Sequence, residues 1–388
     1  MATKNSNFKL KHYINYIGVG AATLIFAFLT FTGNLSSSTQ YLLEKMAISV
    51  ILAVSLSLVV GFLGELSLGH AGFMCVGAYL GGKVAVLLKP VLGNSFPTLL
   101  IALVVGGLSA AVCGIIIGLP ALRLRGDYLA IVTLAFGEIV KSLFLNSSDE
   151  SFGGALGLAT VRYDKNYLFL YAFVLILIAL FVIQNLMRSK HGRAITSIRD
   201  SEIAARATGI NVTKYKLVAF SVSAFFAGIA GVLYSFSNFT VQSSKFGYNY
   251  SIEILVMVVL GGMGNISGSI LSAILITYLN VKLATVLTGN LAVLQNLIYA
   301  LVLVLIVIYN NAPKLKGFRE RYQLSRLFAK LKKNKKHDPS VIHDDEASWE
   351  RIPTKIHMNE ILSTDIVTAK GEQDAFAPDS ISRGEDHK

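Results

Sequence analysis

Long apolar stretches separated by short polar segments occupy the first 310 residues of the chain. A helix needs about 20 apolar residues to cross a bilayer, and eight stretches approach that length: 14–32, 46–63, 97–119, 128–145, 167–187, 217–237, 268–287 and 291–309. Two further apolar segments, 68–88 and 251–263, are glycine-rich or short. The pattern predicts an all-α fold, a polytopic transmembrane helical bundle of about ten spans, or eight if both short segments are re-entrant.

Basic residues near the span ends orient the predicted bundle, because Lys and Arg close to a span stay cytoplasmic. With ten spans and an inside N-terminus, the cytoplasmic side receives Arg123, Arg125 and the loop 188–216, which holds seven Lys/Arg. The opposite side receives only Lys45, Lys89, Arg162, Lys165 and Lys245 from its loops. Charge therefore predicts cytoplasmic termini and favours crossing by both short segments.

The overall composition changes this picture little. The 388 residues are 53% hydrophobic and 15% charged, with a mean hydropathy of +0.59, which is too apolar for a soluble globular protein. Cys75 and Cys113 lie in apolar stretches and lack the number and spacing of a disulfide framework or a zinc site. The apolar stretch from Ile14 lacks a small-residue cleavage site, so we expect a first span rather than a removed signal peptide.

Charge also divides the chain into segments of different composition. Residues 1–13 are predicted to be a cytoplasmic N-terminal arm and residues 14–313 the transmembrane domain. Residues 314–336 carry ten Lys/Arg against one Asp/Glu, and residues 337–388 carry five against twelve. The basic juxtamembrane segment predicts binding to anionic lipid headgroups rather than to nucleic acid, because it follows the last span and lacks a nucleic-acid-binding motif. The acidic segment predicts a disordered tail.

The sequence contains no convincing catalytic motif. GAYLGGK at 77–83 resembles the start of a phosphate-binding loop, but Val84 stands where Ser or Thr must coordinate magnesium. Metalloprotease, nucleophile-elbow and kinase signatures are absent from the sequence. We therefore predict that the chain is not an enzyme and has no catalytic residue, metal site or cofactor.

The loop 188–216 contains the pattern of a short helix. Asp200 or Ser201 can cap it, and Glu202 in its first turn suits the positive end of the helix dipole. Gly209 suits a left-handed C-terminal cap. The helix is narrow because it carries the small residues Ala204, Ala205 and Ala207. Such a helix can seat in a groove of another protein, although composition alone allows a solvated basic loop equally.

Four motifs in order resemble one transporter family. They are LSLGHAGFMCVGAYLGG at 66–82, ALRLRGDYLAIVTLAFGEIV at 121–140, RDSEIAARATGINVTKYKLVAFSVSAFFAGIAGVLY at 199–234 and VLGGMGNISGSILSA at 259–273. Together they resemble the LivM-type permeases of branched-chain amino-acid ABC transporters. The loop is also similar to the EAA loop of bacterial ABC importer permeases, whose pattern is E-A-A, three residues, G. Here Ala204, Ala205 and Gly209 match, and the acid stands one position earlier, at Glu202.

The resemblance implies an importer subunit in a bacterial plasma (inner) membrane. A LivH-type second permease would form a gated path with this chain, and two cytosolic ATP-binding subunits would hydrolyse ATP. An extracytoplasmic amino-acid-binding protein would deliver leucine, isoleucine or valine. The residues of the ATPase-coupling loop would then be Glu202, Ala204, Ala205 and Gly209.

Two alternatives stay open at this point. A related permease branch carries urea or short amides, and no residue of this chain excludes that substrate. A stand-alone channel or ion-coupled transporter would need no ATPase, and the match of the loop argues against it.

Two glycine clusters predict where a translocation path could run, because paired broken helices near mid-membrane expose backbone groups to a polar substrate. Close helix packing is the alternative for the glycines, and a hydrogen bond to a neighbouring helix is the alternative for the histidine. The candidates are Gly69, His70, Phe73, Gly77, Gly261, Gly262 and Gly264.

Other charged residues near or within the apolar segments have simpler interpretations. Glu65 lies at a span boundary, where an interfacial position and a pathway role are equally possible. Glu138 and Lys141 stand three residues apart, which predicts an ion pair on one helix face. Glu253 is placed to cap the short segment 251–263.

Overall fold

The computed structural model describes residues 5–31, 36–93, 95–121, 126–161 and 168–286, together with Leu301 and Val304. Within these ranges the helices are α1 (Asn5–Phe31), α2 (Ser37–Ser57), α3 (His70–Leu92), α4 (Phe96–Ala121), α5 (Asp127–Leu145), α6 (Asp149–Phe152), α7 (Leu168–Arg188), α8 (Lys190–Asp200), α9 (Glu202–Ala207), α10 (Val212–Ser237), α11 (Tyr248–Gly261) and α12 (Ile266–Val286). A π-helical turn (Leu58–Leu63) continues α2. Strands β1 (Leu158–Ala159) and β2 (Thr240–Val241) pair antiparallel, and two 3₁₀ turns cover Gly154–Leu156 and Ser243–Phe246.

The all-α polytopic fold is confirmed. Seven helices of the described ranges are long and apolar enough to cross a membrane, and two shorter apolar helices, 15–30 and Tyr248–Gly261, accompany them. Nine of the ten predicted spans thus coincide with apolar helices. The tenth, 291–309, lies outside the described residues apart from Leu301 and Val304, and so do the segments 314–336 and 337–388. The number of crossings and the side of the termini stay predictions.

Glycines bring three helices, α3, α4 and α10, into close contact at the centre of the bundle. A β-carbon on Gly77 of α3 would lie 2.5 Å from the Cα of Gly228 on α10. A β-carbon on Gly106 of α4 would lie 2.9 Å from the carbonyl oxygen of Gly77. Small residues allow such backbone approach. The prediction that the first glycine cluster breaks a helix is wrong, because α3 is continuous from His70 to Leu92.

The helix breaks lie before α3 and after α11. The π-helical turn ends at Gly64, whose φ of +79° favours glycine, and residues 64–69 are not helical. Gly262 and Gly264, with φ of +90° and +80°, separate α11 from α12. The predicted helix interruption is therefore confirmed at the second glycine cluster. Near the first cluster, the interruption lies before α3 rather than within it.

The chain between α10 and α11 folds back into the bundle. Tyr79 of α3 donates a hydrogen bond to the carbonyl oxygen of Val241 in β2, at 3.0 Å. The following 3₁₀ turn buries Phe246. The N–H of Tyr248 then donates to Oε1 of Glu138, in the middle of α5, at 2.8 Å. Helix α11 therefore begins beside the middle of α5, and its 14 residues span about 21 Å of the ~30 Å hydrocarbon core.

Candidate functional site

Two clusters of polar residues in the described chain contain the predicted site residues His70 and Glu202. The first, the central cluster, consists of Ser55, His70, Thr133, Ser223 and Ser251 around the start of α3. The second, the loop-end cluster, consists of Glu65, Arg199, Glu202, Arg206 and Lys216 at the end of the bundle that carries α8 and α9.

His70 lies inside the central cluster and is 2% exposed. Its Nε2 lies 2.9 Å from Oγ of Ser55 on α2. Because the Ser55 hydroxyl donates to the carbonyl oxygen of Leu52, at 2.9 Å, its lone pairs are available to accept from Nε2–H. Ser223 of α10 donates to the Ser55 carbonyl oxygen at 2.7 Å. The structure thus places His70 in a hydrogen bond with a neighbouring helix, which is the alternative to a path-lining role.

The start of α3 also meets α5 and α11. The N–H of Leu68 donates to Oγ1 of Thr133 on α5, at 3.0 Å, and the N–H of Ala71 donates to Oγ of Ser251 on α11, at 3.1 Å. The first N–H groups of a helix have no partner within the helix. Side chains of two neighbouring helices supply these partners here, so α3 can begin inside the bundle. The starts of two helices, α3 and α11, therefore meet at one point.

The predicted path residues divide between two places. Gly69, His70, Phe73 and Gly77 are buried around the central cluster, where the Phe73 ring lies 4.9 Å from that of Phe136 between centroids. Gly261, Gly262 and Gly264 are half-buried at the loop end. There, a β-carbon on Gly61 would lie 2.5 Å from the Gly264 nitrogen. The structure does not bring the two glycine clusters together.

Glu138 and Lys141 of α5 and Glu253 of α11 are charged residues of the predicted spans that stay partly exposed. Nζ of Lys141 lies 2.9 Å from Oε2 of Glu138, which confirms the predicted ion pair, and the two side chains remain 27% and 35% exposed. The prediction that Glu253 caps this segment is wrong, because α11 begins five residues earlier, at Tyr248. Glu253 instead accepts a hydrogen bond from Asn280, at 3.0 Å. Ionisable groups within spans face protein or water rather than lipid. The partly exposed surface that carries Glu138 and Lys141 is therefore suited to contact with another protein or with water.

The loop 188–216 folds into α8 and α9 against the bundle. Oγ of Ser201 accepts from the N–H of Ala204, at 3.3 Å, and Gly209 has a φ of +82°, so both predicted caps are confirmed. Ala205 points inward and is 3% exposed, whereas Ile203 is 77% exposed. Helix α9 therefore turns one large apolar side chain away from the bundle.

A buried lysine attaches α9 to the bundle. Nζ of Lys216, on α10, pairs with Oε1 of Glu65 and lies 3.2 Å from Oε2 of Glu202, and the lysine is 2% exposed. Oε1 of Glu202 also pairs with Arg206 at 2.7 Å. Glu65 is thus held in an ion pair at the span boundary. Sequence reasoning missed Lys216 because Glu65 lies 151 residues away along the chain.

Arg199 makes a second attachment, from α8 to the end of α2. Its Nη1 donates to the carbonyl oxygen of Gly61 in the π-helical turn, at 3.3 Å, and its Nη2 pairs with Asp200 at 2.9 Å. A β-carbon on Gly64 would lie 2.6 Å from Cγ of Arg199. The absence of a side chain at Gly64 therefore allows Arg199 to lie against the backbone there.

Comparison with known proteins gives one family. Residues 38–307 match the family described as "Branched-chain amino acid transport system / permease component". The chain is 40% identical over 261 residues to the high-affinity branched-chain amino acid transport system permease protein LivM of Escherichia coli (strain K12), covering 59% of this chain and 60% of that protein.

More distant relatives also match. The chain is 28% identical over 189 residues to the probable branched-chain amino acid transport permease protein LivM of Methanocaldococcus jannaschii, covering 46% of this chain and 54% of that protein. It is 26% identical over 294 residues to the ribose import permease protein RbsC of Escherichia coli (strain K12), covering 70% and 84%. The chain thus spans less than two thirds of the length of these LivM relatives. No solved structure matches the chain.

Proposed function

Because the chain belongs to the family of branched-chain amino acid transport permease components, we propose that it is the transmembrane permease subunit of an ABC importer for leucine, isoleucine and valine. Its place would be the bacterial plasma membrane. We further propose that it works with a second, LivH-type permease, two cytosolic ATP-binding subunits and an extracytoplasmic amino-acid-binding protein. ATP hydrolysis would take place on the ATP-binding subunits.

The exposed side of α9 is the observation that supports coupling to an ATPase. Ile203 is 77% exposed on a short helix that is capped at both ends and lies outside the bundle. Its small neighbours Ala204 and Ala207 are exposed as well. An exposed apolar side chain among small residues can enter a pocket of a partner, where such anchors contribute most of the binding energy. We assign this surface, α9 with Gly209, to the contact with an ATP-binding subunit.

The mechanism follows from differential affinity. ATP brings the two ATP-binding subunits together, and the closed pair favours the permease conformation to which it binds more tightly. Hydrolysis then returns the equilibrium to the other conformation. The permease itself contributes a path whose access changes sides, and no covalent chemistry.

We place the translocation path along the exposed face of α5 and α11. That face carries the partly exposed Glu138–Lys141 pair among exposed apolar side chains such as Ile139, which is 63% exposed. A second permease and the water of the path would give these charges a polar environment. In this proposal Gly69, His70, Phe73 and Gly77 support the path from behind, and Gly261, Gly262 and Gly264 form the hinge at its loop end.

A reconstituted transporter tests this proposal. The four kinds of subunit are placed in liposomes containing ATP, and uptake of radiolabelled leucine, isoleucine, valine, urea and acetamide is measured. We expect uptake of the three amino acids only, and none when the ATP-binding subunits are omitted. Uptake without them would indicate a channel or an ion-coupled transporter, and preference for urea or acetamide would replace the proposed substrate.

The structural position of His70 leads to a separate prediction. Ser55→Ala removes its hydrogen-bond partner, and interhelical hydrogen bonds in membranes contribute about 0.6–1.7 kcal/mol. We expect a lower melting temperature in detergent and an unchanged KM for leucine. Ser221→Ala is the control, because that hydroxyl donates to Val218 of its own helix, at 3.1 Å. A raised KM with an unchanged melting temperature would instead assign His70 to the path.

A further inference from the structure

The loop-end cluster joins α9, which we assign to the ATPase contact, to the segment that leads into α3 at the centre of the bundle. Lys216 holds Glu202, the first residue of α9, at 3.2 Å, and it holds Glu65 in the non-helical segment 64–69. That segment leads directly to His70, the start of α3, where α3 meets α5 and α11. One buried ammonium group thus lies between the proposed ATPase contact and the centre of the bundle.

The position of the acid on α9 explains why this contact exists. Successive residues on a helix point about 100° apart. Glu202 is turned toward the bundle, with its side chain 20% exposed, while Ile203 is 77% exposed and faces away. An acid at position 203 would therefore face away from Lys216. Because the acid stands at position 202 and not at 203, as in the E-A-A pattern, this chain has a carboxylate on the inward side of α9 and the apolar Ile203 on its outward side.

The helix that carries Lys216 is held firmly in the bundle. Lys216 belongs to α10, whose glycines pack against the backbones of α3 and α4. The Arg199 contact with the Gly61 carbonyl oxygen, at 3.3 Å, runs parallel to the lysine contact and joins α8 to the same part of the chain. Two connections resist separation better than one, so α8, α9 and residues 61–65 are constrained to move together.

We propose that Lys216 is a positioning residue that transmits movement of α9 to segment 64–69 and so to the start of α3. This inference rests on the proposed function. Lys216 contacts the inward side of α9 through Glu202, not the exposed side that we assign to the ATPase. Its role is to keep the carboxylates of Glu65 and Glu202 on one cation, so that displacement of α9 by a bound ATPase displaces the segment before α3. Without that cation, α9 and segment 64–69 would move independently.

The test compares variants in the reconstituted four-component transporter. Lys216→Met keeps the length of the side chain and removes its charge, and Lys214→Met, two residues away on an exposed position of the same helix, is the matched control. The measurements are co-purification with the ATP-binding subunits, ATP hydrolysis, and leucine imported per ATP hydrolysed. We expect Lys216→Met to keep co-purification and hydrolysis and to lower the import ratio at least about tenfold, while Lys216→Arg restores most of it and Lys214→Met stays at the wild-type ratio.

A second variant separates coupling from folding. The double substitution Glu65→Gln, Lys216→Met removes the buried pair and leaves Glu202 paired with Arg206, so it should assemble even if Lys216→Met alone does not fold. We expect it to hydrolyse ATP with the same low import ratio. A wild-type ratio in either variant overturns the inference while the proposed function stands. Failure of the wild-type complex to import leucine overturns the proposed function itself.

Discussion

Replacing Gly77 with valine will leave little correctly folded protein in the membrane. A β-carbon at this position would lie 2.5 Å from the Cα of Gly228, and the obstacle is backbone, which cannot rotate away as a side chain can. Overpacking a core costs about 1–3 kcal/mol and more where helices must separate. Here α3, α4 and α10 would all have to move. We expect the folded yield, measured by size-exclusion chromatography of a fluorescent fusion in mild detergent, to fall to about a tenth or less.

Gly18→Val is the matched control for this experiment. It makes the same change in another apolar helix, α1, where a β-carbon on Gly18 would have no heavy atom within 4 Å among the described residues. We expect its yield to equal that of the wild type. Equal yields for both variants would show that the three helices are not packed as closely as the structure has them.

Replacing Ile203 with lysine will abolish assembly with the ATP-binding subunits while the permease still folds. The side chain is 77% exposed, so an ammonium group there costs the isolated chain little. In a complex, the same ammonium group would be buried without a partner in an apolar pocket, which costs several kcal/mol. We expect loss of co-purification with the ATP-binding subunits and loss of leucine uptake, with an unchanged melting temperature of the permease alone.

The control for that variant is Met263→Lys. Met263 lies between α11 and α12, near Gly264 at the loop end, and is 67% exposed, so the substitution adds the same charge to another exposed apolar position. Co-purification should be retained. Gly209→Arg is a less selective probe, because a side chain at a φ of +82° strains the backbone in addition to blocking the surface. If Ile203→Lys still binds the ATP-binding subunits, α9 is not their contact.

Much of the fold follows from the sequence because the signals are local. Stretches of about 20 apolar residues can satisfy their backbone hydrogen bonds in a membrane only as helices or closed barrels, and the segments predicted as spans coincide with apolar helices wherever the structure describes them. Ser201 starts α9 through a side-chain hydrogen bond and Gly209 ends it through its backbone angle, and both depend on only a few neighbouring residues. The Glu138–Lys141 pair is equally local, since its members lie on one face of one helix.

The tertiary structure alone decided which distant residues meet. The glycine content of segment 68–88 is evident in the sequence, but that Gly77 opposes Gly228 depends on how α3 crosses α10. The same holds for Lys216, whose partner Glu65 lies 151 residues away, and for α11, which begins against the middle of α5. Hydrophobic periodicity and capping determine that helices form and where they end. Packing between helices depends on the shapes of all of them at once, so it fixes which glycines close the core and which lysine joins α9 to the bundle.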